Sequence, residues 1–141
     1  MTKRIISIAL LLSFALSAFA QTTGKTFTKS FNTEGQGRIK IDLPGTVDLK
    51  VWSNPTIRVE IAVDLPSGNL SMLDQLAQVG RYNLEANIQD ESLVITAPNL
   101  SKVVRVKGEE LREHVAYTIF IPKDLEVVLQ HAATVAANVQ K

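Results

Sequence analysis

Histidines, carboxylates and one tryptophan are the side chains here with chemistry to offer, and their spacing restricts it sharply. His114 and His131 stand 17 residues apart, and neither has a partner at metal-ligand spacing. Glu109, Glu110 and Glu113 could bring oxygen ligands to His114. Lys107 and Arg112 interleave with them, so the polar connection from Gly108 to His114 reads as a solvated charged loop. Asp42 and Asp48 have the types of a glycosidase pair. Both fall on polar positions of alternating segments beside Lys40 and Lys50, where carboxylates face water. No serine has a nucleophile-elbow context. Gly35 and Gly37 precede an alternating segment rather than a helix, so they do not make a phosphate loop. No catalytic, cofactor-binding or metal residue follows, and the chain reads as a non-enzyme without cofactors. Trp52 is the exception worth keeping. It falls on a solvent-side position, where an indole can stack on a sugar or anchor a partner, unless the N-terminal segment covers it.

Composition narrows the classes further. The 141 residues carry 15 basic and 14 acidic side chains and no cysteine. Lys3 and Arg4 belong to an apolar leader, which leaves 13 basic residues against 14 acidic ones. That balance excludes a dedicated nucleic-acid or anionic-membrane binder, which needs a cationic excess. Without cysteine there are no disulfides, thiolate zinc sites or thiol nucleophiles. Asn69-Leu70-Ser71 and Asn99-Leu100-Ser101 match the glycosylation sequon. Beside a bacterial type of leader, both are read as chance.

The leader has the three parts of an export signal: Lys3-Arg4, the apolar stretch Ile5 to Ala18, and Ala18-Phe19-Ala20 before Gln21. Signal peptidase requires small side chains at Ala18 and Ala20, so the mature chain is expected to begin at Gln21. Residues 1–20 are then the signal peptide, with no membrane insertion after cleavage. The expected destination is the periplasm, the outer surface or the medium.

Any binding group must be positioned by strands. From Gln21 onward, valine and isoleucine number 22 against 12 leucines, a β-leaning balance. Arg38 to Leu43, Val47 to Val51 and Ile57 to Leu65 alternate strictly between apolar and polar, which predicts half-buried strands. Pro44-Gly45 and Ser53-Asn54-Pro55 supply turns between them. Phe27 to Phe31 is a weaker preceding strand. The period changes after Pro66. Ser71 as cap, Asp74 in the capping-box position, Leu73, Leu76 and Ala77, and Gly80 as stop predict a helix of about two turns. Strands resume at Tyr82 to Gln89, Leu93 to Ala97, Val103 to Lys107, Val115 to Ile121 and Leu125 to Leu129.

Ile39-Lys40-Ile41-Asp42-Leu43-Pro44-Gly45-Thr46-Val47, then Val51-Trp52-Ser53-Asn54-Pro55-Thr56-Ile57-Arg58-Val59-Glu60, and later Tyr117-Thr118-Ile119-Phe120-Ile121-Pro122 running on to Val127, resemble the opening of exported bacterial adhesin domains. These are the auto-transporter-adhesin-like families with a β-solenoid head. The resemblance spans roughly residues 25 to 129. It implies an all-β, solenoid-like fold and an adhesin-like role, and it carries no catalytic signature. Such domains continue into many rungs, whereas twelve residues follow Leu129 here and none is glycine. A truncated relative or a fragment is therefore expected.

Together these readings give an all-β domain with one short helix, an antiparallel or solenoid-like sheet opening a β-helix, or alternatively a small β-sandwich. The expected parts are a β-rich domain over 21–129 and an extra strand or tail over 130–141. The expected function is a non-enzymatic envelope or secreted binding module, with a glycan as candidate ligand. A structural subunit is the alternative: Val135, Ala137 and Val139 form a candidate interaction edge for a homo-oligomer or an envelope protein. An enzyme acting on envelope polymers is the remote third.

Overall fold

Alternation of period two builds the first half of the fold. The computed structural model describes residues 23–66, 68–130 and 133–134, opening with β1 (Thr23–Phe31), β2 (Arg38–Asp42), β3 (Thr46–Trp52) and β4 (Ile57–Leu65). In β4, Ile57, Val59, Ile61, Val63 and Leu65 are buried while the residues between them point outward. β1 begins four residues before the expected Phe27. Its Lys25, Phe27, Lys29 and Phe31 lie opposite Val63, Ile61, Val59 and Ile57, so lysines in the apolar phase disguise the pattern. Charge in that phase also discourages strand addition along an exposed edge.

The helix α1 (Leu70–Gln78) starts earlier than the sequence suggests. Asn69 caps it, its side-chain oxygen accepting the Met72 N–H at 2.8 Å, so Ser71 is helical and not the cap. Such a cap contributes about 1 kcal/mol. Leu73 and Leu76 face the core. Gly80, at φ +80°, turns the chain out of the helix as expected. Residues 82–84 are not strand. Tyr82 stacks on Phe27 at 5.3 Å instead, and β5 (Glu85–Gln89) and β6 (Ser92–Thr96) form the following hairpin. The expected strand at 103–107 contracts to β7 (Arg105–Val106), which pairs with β8 (Glu109–Glu110) inside the supposed loop. Lys107 and Gly108, at φ +52° and +81°, make the tight turn between them. β9 (His114–Pro122), β10 (Glu126–Gln130) and β11 (Ala133–Thr134) complete the described chain.

Among the described residues, one sheet has the order β1-β4-β9-β3-β11 and another the order β10-β2-β6-β5. β2 runs parallel to both β6 and β10, and β3 runs parallel to both β9 and β11. Three stretches of chain, β6 to β9, β2 to β3 and β10 to β11, thus pass from one sheet to the other side by side. Antiparallel strands flank them: β4 and β1 on one sheet, β5 on the other. The β2–β3 corner depends on Gly45. Its φ is +118°, and a Cβ there would lie 2.5 Å from the Val115 carbonyl oxygen, so only glycine lets the neighbouring course approach. Ile39, Ile41 and Leu43 meet Val59, Ile61, Leu73, Leu93, Ile95, Tyr117 and Ile119 in one apolar cluster fed by both sheets and the helix. Among the described residues the result is an all-β domain with one short helix and no closed barrel.

The long passage from β6 to β9 is tied down by a buried ion pair. Arg81 and Glu113 side chains are 8% and 9% exposed. The Arg81 Nε donates to Glu113 Oε1 at 3.0 Å, and Nη1 donates to the carbonyls of Asn99 and Lys102. Tyr82 donates its hydroxyl to Glu113 Oε2 at 2.9 Å. Glu113 is therefore not part of a solvated loop. Its partner lies 32 residues upstream, beyond the reach of local pattern reading. Burial first, then the bond to Glu113, holds the Tyr82 phenol well above its usual range, and burial does the same for Tyr117.

Removing one member of a buried pair leaves the other charge without compensation. Glu113→Ala is expected to lower stability by about 3–5 kcal/mol in urea denaturation; a loss below 1 kcal/mol would show that water reaches Arg81. The tyrosines give a second test. A phenol whose folded pKa is raised stabilises fully below its unfolded value, about 10, and that contribution is lost as pH rises toward the folded value. Stability should therefore fall above about pH 10. Phenolate absorbance from Tyr82 and Tyr117 should appear together with unfolding and not before it.

Candidate functional site

Strand registers fix which side chains meet on the outer face of the five-stranded sheet. Ser30, Arg58, Phe120 and Lys50 form one cross-strand row. Thr28, Glu60, Thr118 and Asp48 form the next, followed by Thr26, Ala62, Ala116 and Thr46. Gly24, Asp64 and His114 close the series. Trp52 lies beyond the first row, opposite Pro122.

An aromatic and cationic cluster occupies the Trp52 end. The Trp52 and Phe120 rings are 5.3 Å apart and tilted by 39°. The Arg58 guanidinium carbon lies 5.1 Å from the Phe120 centroid and 5.9 Å from that of Trp52. The Lys50 ammonium lies 5.8 Å from Phe120 on the other side. Contacts of this kind contribute about 0.5–1 kcal/mol each at exposed sites. The Trp52 indole N–H donates to the Thr56 carbonyl at 2.8 Å, which clamps the ring across the Ser53-Asn54-Pro55 turn. Arg58 is ion-paired with Glu60, and its Nε is buried without a partner. Two half-buried rings thus stand among charged and hydroxyl side chains on an otherwise polar face. Such a surface can stack an apolar ring face while its rim accepts and donates hydrogen bonds.

The opposite end of the same face is hollow. Gly24, Thr26, Ala62, Ala116, Gly45 and Thr46 leave a concavity of ≈ 690 Å³, bordered by Asp64, Glu113 and His114. Asp64 Oδ1 is buried and has no hydrogen-bond partner. Gly24 lies directly opposite Asp64, where a Cβ would sit 3.8 Å from Asp64 Oδ1.

Of the residues singled out in the sequence, Trp52 is half-buried on the outer face, and its ring contacts come from Phe120 and Arg58, not from β1. Asp42 and Asp48 lie in different sheets and are not brought together. His114 is exposed and sits opposite Asp64. No group of three or more His, Asp or Glu side chains suited to a metal ion occurs among the described residues. Ala18, Ala20, Gln21, His131, Val135, Ala137 and Val139 lie outside the described residues. Phe120 and Arg58 were missed as partners of Trp52. One signal was available: in Tyr117-Thr118-Ile119-Phe120-Ile121, Phe120 is an aromatic in the polar phase.

No helix among the described residues is long and apolar enough to cross a membrane. No protein-family model and no curated protein matches the chain. Among solved structures, it is similar to a "putative cell adhesion protein" from Clostridium sporogenes, with 12% identity and a TM-score of 0.39. That likeness covers 76% of this chain and 46% of the other, so this chain spans just under half of that protein's length.

Proposed function

We propose that this chain is a non-enzymatic, exported envelope or secreted binding module, adhesin-like in role, whose ligand is a glycan held on the outer face of the five-stranded sheet. The observation that carries this reading is the Trp52–Phe120–Arg58 cluster. Two rings occupy positions where alternation calls for polar residues, and both remain only half-buried on the outer face. The Met1 to Ala20 leader supports export. A glycan array probed with the mature protein should show a bound saccharide, and Trp52→Ala should weaken that binding about tenfold or more while the strand circular-dichroism signal at the assay temperature is kept. Absence of any bound saccharide, or full binding by Trp52→Ala, would overturn the reading.

A second reading, assembly through a sheet edge, has its own support. β10 and β11 repeat the course of β2 and β3 one strand further out. Beside them the inner apolar face is incompletely covered: Leu49, Val127 and Leu129 are half-buried, and Val51 is 57% exposed. Strand addition by a second copy or an envelope partner would cover it. Sedimentation velocity should then show self-association that grows with concentration and weakens in Val51→Lys. A wild-type protein that stays monomeric at high concentration argues against self-assembly.

A further inference from the structure

Two cations flank the Phe120 ring, one from each neighbouring strand. Arg58 stands on the β4 side and Lys50 on the β3 side, 5.1 and 5.8 Å from the ring centroid. A half-solvated sheet asks only for polar side chains at outward positions. Two like charges around one ring repel each other and go beyond that demand. Neither cation is used up by the protein. Lys50 is exposed and makes no ion pair among the described residues. Arg58 gives Nη2 to Glu60, while its Nη1 makes no hydrogen bond among the described residues. The carboxylates of this face stand elsewhere. Ser30 completes the Phe120 row and Pro122 lies opposite Trp52, so neither place holds an acid. Asp48 and Glu60 flank Thr118 in the next row, about 7 Å toward the Asp64 end at the usual strand rise. A ligand lying on the two rings therefore meets positive charge beside Phe120 and negative charge only one row away.

We propose that the saccharide taken by the Trp52–Phe120 cluster is acidic: a hexuronate chain whose carboxylates pair with Lys50 and with Nη1 of Arg58. The proposal rests on the glycan reading above and names the class of sugar within it. Sugar rings stack on the accessible faces of Trp52 and Phe120. Carboxylates accept charge-assisted bonds from the ammonium and the guanidinium, which are stronger than those a sugar hydroxyl can accept. Asp48 and Glu60 act in the opposite sense. They repel a carboxylate placed one row further along, which confines the acid to the Trp52 end of the face. A neutral chain gains the stacking alone.

Tetragalacturonate and tetramannuronate, each beside its neutral methyl ester, test this, because acid and ester share rings and linkages and differ in charge. Titration calorimetry on the mature protein at low salt should show at least one acid binding about tenfold tighter than its ester. Raising the salt to about 0.5 M should erode that preference by screening. Lys50→Gln, at an exposed outward position, should bring acid and ester to within about twofold, and Lys50→Arg should keep the preference. Asp48→Asn, which removes a repelling charge, should tighten the acid and leave the ester unchanged. No acid binding tighter than its ester, including no binding of either, or a preference that survives Lys50→Gln overturns the assignment of an acidic sugar. The glycan reading then stands or falls separately: a neutral saccharide found on the array and lost in Trp52→Ala keeps it.

Discussion

The outer face depends on where β9 begins, and that start is held by the Arg81–Glu113 ion pair. Glu113 immediately precedes His114, the first residue of β9. β9 is the centre of the five-stranded sheet, antiparallel to β4 on one side and parallel to β3 on the other. Side chains on a strand alternate, so a slip of one residue there would turn Tyr117, Ile119 and Ile121 outward and bring Phe120 into the core. The chain arrives at this point after the long excursion through β7 and β8, where Leu100, Val104 and Leu111 pack partly buried against the core and the polar remainder of its path is left to be fixed. Arg81 supplies the fix from outside. Its guanidinium gathers the Asn99 and Lys102 carbonyls and the Glu113 carboxylate around one centre. A fully bonded buried pair of this sort contributes little net stability and much definition of geometry.

This dependence explains which features were legible in the sequence. β2, β3 and β4 could be read because alternation is local and each strand carries its own evidence. Gly80 could be read as a stop for the same reason. Asn69 was overlooked as cap because Ser71 and Asp74 offered a plausible box two residues later, and the choice rests on backbone geometry that composition does not display. The burial of Glu113 was illegible. Its segment looks polar, and the compensating charge is remote in sequence. Trp52 was legible as an outward aromatic, whereas its neighbours were not, because the parallel pairing of β3 with β9 joins residues about seventy positions apart.

The two faces of the five-stranded sheet obey different constraints. On the inner face, size and polarity are dictated by the shared core, and Val59, Ile61 and Ile119 could be exchanged only for side chains of similar volume. The outer face is under no such demand. Threonine, lysine and glutamate satisfy it along most rows, as they do on ordinary half-solvated sheets. Departures from that pattern are therefore informative. Trp52 and Phe120 leave ring surface accessible, Arg58 spends a guanidinium on covering part of it, and Gly24, Ala62 and Ala116 leave a hollow where longer polar chains would serve folding equally well. Each departure foregoes something that a purely structural surface would keep: solubility in the first case, a satisfied guanidinium Nε in the second, covered methyls and a bonded carboxylate in the third. All three fall on one face of one sheet, spread over β1, β3, β4 and β9. Folding alone gives no reason for that coincidence, and the glycan recognition proposed above would supply one.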